Sequence, residues 1–435
     1  MIENIILRAN ELKDETVSIR RDLHKYPEAG FFEFRTVSLI INYLNNIGFD
    51  VKYGAEVLDR SYVLGVPSKC QIDEARNRAI SEGADETIVR SIEDCTTAVV
   101  ATIIGKGTGR RNTVAFRFDI DCNEIEESDA EQHRPYQCGF SSLHKGYAHA
   151  CGHDGHVAIG LTFAKLLSEN VDSFSGTVKL IFQPAEEGVR GARAMVSAGV
   201  VDDVDYFFSG HIGIAAKQSK TVIASTKGFL CATKFDAEYF GESSHAGLKP
   251  EEGRNALLAA AQSAISLHTI SRHSSGASRI NVGVISGGTG RNVVPSYAQL
   301  QFETRGETNE INEYMKKRAE SIIAASALAF DVDFKLECVG DAQTFDNDDD
   351  FALEIANLAR ESMIYDFVTD TGYMNASEDC TAFMNRVVAR GGKATYMLFG
   401  SDLASNHHTP EFDFDEQTLT DTAAFLTIIA LKYAK

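Results

Sequence analysis

The sequence predicts an α/β protein, a mainly parallel sheet covered by helices and interrupted by a smaller α+β domain. Three observations predict it. Strand-like and helix-like segments alternate across residues 1–222, as in a chain that builds parallel strands through helical crossovers. Across 223–340 the order changes to β-α-β-β-α-β, the signature of a ferredoxin-like sandwich. From 341 to 435 helices again flank one apolar strand, so the first domain resumes after an insertion.

The elements follow in order. Residues 3–23 and 36–47 read as amphipathic helices. TTAVVATIIG (96–105) and TVAFRFD (113–119) read as strands, the second a buried one. GHVAIGLTFAKLL (155–167) has helical period, and GTVKLIFQP (176–184) and DYFFSGH (205–211) are strands again. In the middle, FLCATKFDAEYFG (229–241), the helix at 255–270, SRINVGVISGG (278–288), PSYAQLQFETRG (295–306), a helix near 308–328 and DVDFKLECVG (331–340) complete the insertion. Helices near 350–363 and 415–433 flank TYMLFG (395–400). Residues 59–94 are polar and helical in character, an excursion on the first domain that reads as a solvated surface element or a contact element.

Composition narrows the class. The 435 residues are 44% hydrophobic and 24% charged, the balance of a globular protein. A net charge of −20 makes nucleic acid and anionic membranes poor partners. No apolar run reaches the roughly 18 residues of a membrane span, and the charged N-terminus lacks a signal-peptide core, so the expected location is the cytoplasm. The eight cysteines are dispersed without a CxxC pair, which suits reduced thiols rather than a disulfide frame.

Sites in open α/β sheets form beyond the carboxyl ends of strands. After 113–118 come Asp119 and Asp121; after 176–183 comes PAEEG with Glu186 and Glu187; His211 ends 205–211; His407 and His408 follow 395–400. HACGHDGH (149–156) precedes a helix in the same layer. Carboxylates, imidazoles and a thiol therefore converge on one rim, a donor set for divalent metal. A two-metal site needs a bridging group, and adjacent glutamates can divide labour between ligand and proton acceptor. Spacing alone does not separate His153 from His156. Taken singly, His149 could cap or pack, Glu186–Glu187 could be a helix N-terminal pair, His211 a core histidine and His407–His408 a loop doublet. The Gly-rich GGTGRN (287–292) lacks a phosphate-loop ending, and no GxSxG elbow supports a serine nucleophile.

RRDLHKYPEAGFFEFRT (20–36), HACGHDGH, FQPAEEGVRGARAMVSAGVVDDVDYF (182–207) and SSHAGLKPEEGRNALLAA (243–260) resemble the amidohydrolase branch of the aminoacylase/carboxypeptidase metallopeptidase family. SGGTGRNVVP (286–295), FETRG (302–306), SEDCT (377–381) and FDFDEQTL (412–419) extend the resemblance to nearly the whole chain. It implies a catalytic domain of zinc-peptidase type and an inserted lid or dimerisation domain. It implies two divalent ions, Mn²⁺ or alternatively Zn²⁺, held by Cys151 as the bridging thiolate with His153, Glu187, His211 and His408. Glu186 would be the general base, and His245 of the inserted domain the oxyanion donor. Asn292 and Arg305 would hold the carboxylate of an N-acyl amino acid, and Asp119 would orient the ligands from behind. His408 is preferred to His407 because Thr-Pro follows it. The family's assemblies imply a homodimer, or a heterodimer with a homologous partner chain. Arg190, Arg193 and Arg291 are further cations beside the matched motifs. One departure stands out: members usually read Asp-Ala-Leu-Pro where this chain has Asp121-Cys122-Asn123-Glu124.

Overall fold

The computed structural model describes residues 1–435, which divide into two compact units. The larger comprises 1–227, 345–374 and 379–435; the smaller comprises 228–344 and 375–378. The larger unit begins with α1 (Ile2–Glu11), α2 (Lys13–Lys25), α3 (Phe34–Asn46), β1 (Asp50–Tyr53), α4 (Lys69–Ser81), α5 (Glu86–Ser91), β2 (Val99–Ile104) and β3 (Thr113–Asp119). It continues with α6 (Arg134–Gln137), α7 (His153–Glu169), β4 (Thr177–Gln183), α8 (Ala192–Ser197), β5 (Tyr206–Ile212), β6 (Thr221–Ile223) and β7 (Thr226–Lys227). The smaller unit holds β8 (Cys231–Phe240), α9 (Ala256–Leu267), β9 (Ser278–Gly287), β10 (Tyr297–Gly306), α10 (Asn309–Ala329) and β11 (Asp333–Ala342). The chain then returns with α11 (Asp349–Ser362), β12 (Phe367–Thr369), β13 (Gly372–Tyr373), α12 (Thr381–Ala389), β14 (Lys393–Phe399) and α13 (Gln417–Tyr433).

The main sheet has the order β1-β2-β4-β3-β5-β14-β6-β12. Its centre, β4-β3-β5-β14, is parallel. The β1–β2, β2–β4 and β14–β6 pairs are antiparallel, so the sheet is mixed at its margins. The central strands are buried along most of their length, as strands covered on both faces are. The short marginal strands β1, β6 and β12 carry too little pattern to be read from sequence. The helix expected over 3–23 is interrupted at Leu12, whose N–H is shared between the carbonyls of Arg8 and Ala9. The 59–94 segment is not wholly solvated. Ile72, Ala75, Ala79, Val89 and Ile92 are buried, and α4 and α5 lie against α3. Ser68 and Gln71 close a reciprocal capping box that starts α4.

In the smaller unit the sheet order is β11-β8-β10-β9, antiparallel throughout. Numbered within the unit this is 4-1-3-2, with α9 and α10 supplying a core that includes Tyr239, Ala260, Leu300, Met315 and Ile323.

One helix sets the position of the site. The α7 sequence is apolar on nearly every side, and it is buried from His153 to Ala164. It packs against α13, α2 and β3. Gly160 permits that approach: a Cβ there would lie 2.8 Å from Phe182 and 3.0 Å from Phe118. These rings come from β4 and β3, so the helix N-terminus is held at the carboxyl ends of the same strands. Gly160→Ala is expected to lower stability by about 1–3 kcal/mol through overpacking, measured as a lower denaturant midpoint with an unchanged m-value.

Candidate metal centre

Each strand of the parallel centre delivers a polar group at its carboxyl end. β3 ends at Asp119, with Asp121 two residues on; β5 delivers His211; β4 leads into the turn bearing Glu186 and Glu187; β14 leads into the loop bearing His408. Cys151 and His153 arrive from the start of α7.

These groups form overlapping clusters. Within Cys151, His153 and His211 one ligand atom of each lies within 4.8 Å of the others, and the same holds for Cys151, Glu187 and His408, and for His153, Glu186 and Glu187. The Cys151 Sγ is common to the first two. It stands 3.3 Å from His211 Nε2 and 3.3 Å from His408 Nε2. His408 Nε2 is also 3.3 Å from Glu187 Oε2. His407 turns away, donating from Nε2 to the Ile212 carbonyl at 3.0 Å.

Hydrogen bonds on the far side of each ring fix which nitrogen faces inward. His153 Nδ1 donates to the Asp121 carbonyl at 2.9 Å, and His211 Nδ1 donates to the Ile212 carbonyl at 2.7 Å. A carbonyl only accepts, so in the neutral ring each Nε2 carries the lone pair. His153 Nε2 is buried without a hydrogen-bond partner, between Asp119 at 3.8 Å, Glu187 at 3.8 Å and Glu186 at 4.0 Å. An inward lone pair, a thiol common to two donor groups and adjacent carboxylates form a set that fits divalent cations. His156 is placed otherwise. Its Nε2 accepts from the Ile212 N–H at 3.0 Å, so its Nδ1 donates to Asp119. His149 is buried beside His24 with both nitrogens unpartnered, and burial pushes its pKa down to about 3.

The electrostatics follow from crowding of acids. Burial disfavours the His153 cation, but Asp119, Asp121 and Glu187 outweigh it and hold the pKa at about 10. Burial, then Glu187, Glu186 and Asp119, push the Cys151 thiol well above its ordinary range. Burial pushes His211 well below its ordinary range. Asp119 would be raised by burial, yet His153, His156 and Arg117 keep it well below the usual carboxylate value. Arg117 is buried, donating to Asp119 and Gln183 at 2.7 Å each.

The Glu186–Glu187 turn is gripped by its backbone. The N–H groups of Glu186 and Glu187 donate to the two oxygens of Asp121 at 3.0 Å each. Ala185 lies in the left-handed region at φ 55°, a conformation that costs a non-glycine residue about 1–2 kcal/mol. Burial would raise the Glu187 carboxyl, but His408, then His153, and last a side-chain hydrogen bond donated by Asn123 bring it to about 2.

A second network lies behind His153. Asp154 accepts from Arg20 Nε and His24 Nδ1 at 2.8 Å each, and Arg20 also binds Asp413 and Glu416. His24, opposed by burial but paired with Asp154 and Glu127, is raised to about 9. Sequence reasoning did not single out Arg20, His24 or Asp154. Their signal was the i, i+4 spacing of Arg20 and His24 on one helix face.

His245, Asn292 and Arg305 belong to the smaller unit. There His245 bridges to Val293, and the Ala246 N–H donates to the Asn292 carbonyl at 3.0 Å, so His245 and Asn292 sit on adjacent strands of chain. Arg305 pairs with Glu303 at 2.9 Å on its own strand. Arg190 donates to the carbonyls of Gly65 and Gly30 over the Phe31 ring. Arg193 is exposed over Tyr62. No helix is long and apolar enough to cross a membrane.

The sequence model of peptidase family M20/M25/M40 matches residues 115–432. The chain is 44% identical over 425 residues to an indole-3-acetyl-aspartic acid hydrolase of Enterobacter agglomerans, covering 97% of both chains. It is 42% identical over 434 residues to a p-aminobenzoyl-glutamate hydrolase subunit of Escherichia coli (strain K12), covering 99% of both. A crystal structure of an aminobenzoyl-glutamate utilization protein from Klebsiella pneumoniae superposes with a TM-score of 0.83 at 37% identity, covering 98% of this chain and 97% of that one.

Asn123→Leu, which restores the residue usual at that place in the resembled branch, removes one donor from Glu187. It is expected to weaken metal retention about tenfold, as loss of a ligand-orienting partner does, and Cys151→Ser to weaken it further. Metal content after dialysis, read by plasma mass spectrometry, checks both.

Proposed function

The chain belongs to peptidase family M20/M25/M40, and from that premise we propose that it hydrolyses the amide bond of p-aminobenzoyl-glutamate or a similar N-acyl amino acid with two divalent metal ions. The observation that carries the reading is the Cys151 Sγ common to two donor groups, with Glu186 beside them. It is supported by the full-length similarity to hydrolases of N-acyl aspartate and glutamate. Cys151, His153, Glu187, His211 and His408 would hold the ions, the Cys151 thiolate being the donor shared by both groups. Mn²⁺ is the preferred ion and Zn²⁺ the alternative, since mixed S, N and O ligation suits either. When bound, the ions polarise the amide carbonyl and acidify the attacking water.

This chain's residues do the rest. Glu186 takes the proton from the attacking water and delivers it to the nitrogen of the leaving amino acid. Asp121 holds the backbone of Glu186 and Glu187, so base and ligand keep fixed directions. His245, from this chain or a second copy, donates to the carbonyl oxygen as its charge develops. Asn292 and Arg305 hold the carboxylate of the substrate, for which a planar guanidinium is suited. Asp119 fixes His156 and Arg117 behind the ligands. The Escherichia coli relative is named as one subunit of its hydrolase, which supports pairing with a homologous chain as the alternative to a homodimer. Other substrates in the same class, hippurate or N-acetyl amino acids, are the alternative reading of specificity. The cytoplasm is the proposed location.

Glu186→Gln is expected to keep its metal and lose about 10²–10⁴-fold in kcat, the usual extent of lost acid–base catalysis; full turnover would refute the assignment. A hydrolysis screen of N-acyl amino acids on the isolated chain, with Mn²⁺ and with Zn²⁺, is expected to rank p-aminobenzoyl-glutamate above hippurate. Activity that arises only on adding a homologous partner chain would establish the obligate-partner alternative.

A further inference from the structure

Three successive N–H groups of one turn each meet a carboxylate. Those of Glu186 and Glu187 go to Asp121. That of Ala185 goes to Glu33 Oε1 at 2.9 Å. Glu33 is fully buried and comes from the start of α3, far away in sequence. Its other oxygen accepts from Thr97 Oγ1 at 2.5 Å, so the carboxylate is tied at both ends. Ala185 itself is fully buried and left-handed, and its backbone angles set the direction in which Glu186 leaves the turn. The segment carrying Glu33 is fitted to this turn a second time. A Cβ on Gly30 would lie 2.8 Å from both Cα and Cβ of Ala185, so only glycine lets the backbone come so close. The same segment is anchored beside β3, where the Cys122 N–H donates to the Glu28 carbonyl at 2.9 Å.

We propose that Glu33 is a positioning residue for the reaction, holding the Ala185 N–H so that the left-handed turn aims Glu186 at the attacking water. The proposal rests on the reading of Glu186 as the base. What matters is the reach of an acceptor oxygen to Ala185 N–H, not the charge. Glutamine keeps that reach and can donate to Thr97 Oγ1 with its amide. Aspartate keeps the carboxyl group but is one methylene too short. Alanine removes both and leaves a buried N–H without its acceptor.

The test is steady-state kinetics of the full-length metal-loaded enzyme, well below each variant's melting temperature. Glu33→Ala and Glu33→Asp are expected to lower kcat about 10–100-fold, the range for loss of an orienting partner. KM should stay within about threefold and metal content unchanged, because the ligands keep their own partners. Glu33→Gln is expected to recover most of kcat. A purely structural role would lower the melting temperature of all three and leave kcat per folded molecule alone. Should Glu33→Ala not fold, Glu33→Asp decides. The proposal is overturned if the folded Ala or Asp variant keeps kcat within twofold while Glu186→Gln is inactive. If Glu186→Gln is itself fully active, the reading of the base fails and this proposal with it.

Discussion

The structure depends on keeping like charges together. Glu33, Asp119, Asp121, Glu186 and Glu187 share one rim of the sheet with the Cys151 thiol, and all but Glu187 are buried. Two carboxylates about 4 Å apart repel by about 4 kcal/mol at the effective dielectric of a protein, so the arrangement needs positive charge. The fold supplies Arg117, the backbone N–H groups of the 185–187 turn and the inward edge of His153. The remainder is met by protons. His153 stands at about 10, Glu33 is lifted to about 8 by burial and by Asp121, and the Cys151 thiol is pushed well up. Metal ligands are deprotonated, so a divalent cation entering this rim replaces protons and tightens as pH rises. The acids thus make the site both hard to keep empty of positive charge and suited to metal.

The same constraint explains why distant segments wrap the site. The chain from α2 to α3 contributes Arg20 and His24 to Asp154, and Glu33 to Ala185. Asp154 is the neighbour of His153 in α7, so the ion pairs behind it fix the start of the helix that presents the His153 ring. A buried ion pair of this kind contributes little net stability but a definite geometry. In this chain that geometry is the direction of the donors rather than the existence of the core, which α7, α13 and the parallel strands already provide.

How much of this was legible follows from range. The parallel centre was legible because its four strands are short, mostly apolar runs that alternate with helical segments, and β3 spans Thr113–Asp119 as its pattern implies. The convergence of Cys151, His153, Glu187, His211 and His408 was legible because each follows a strand end or opens a helix, and position on a sheet rim is a local property. The preference for His408 over His407 rests on a following Thr-Pro; His408 Nε2 lies 3.3 Å from the Cys151 Sγ, while His407 Nε2 donates to the Ile212 carbonyl. The holding groups were not legible. Glu33 to Ala185 and Arg20 to Asp154 are contacts across more than a hundred residues, and a buried glutamate in a helix-start sequence looks like an N-cap. Asn123 was visible only as a departure from a resembled pattern, without a partner until Glu187 was found beside it. The marginal strands were missed because three or four residues carry no periodicity.

The turns that present the donors share one more feature. Gly152, between Cys151 and His153, has φ 88°; Ala185, before Glu186, has φ 55°; Gly213 and Ile214, after His211, have φ 75° and 56°; His408 itself has φ 60°. Each donor-bearing segment therefore turns through the left-handed region within three residues of its donor group. A donor at a strand end points along the sheet unless the chain reverses sharply, and positive φ is how a short loop reverses. Glycine does this without strain at 152 and 213. Alanine at 185, isoleucine at 214 and histidine at 408 do not, and at 185 and 408 the backbone N–H is captured, by Glu33 at 2.9 Å and by the Ala150 carbonyl at 2.8 Å. At these two positions the residue's own N–H is thus held by an acceptor from elsewhere in the chain. That places the precision of the site in the acceptors of those two N–H groups as much as in the donors themselves.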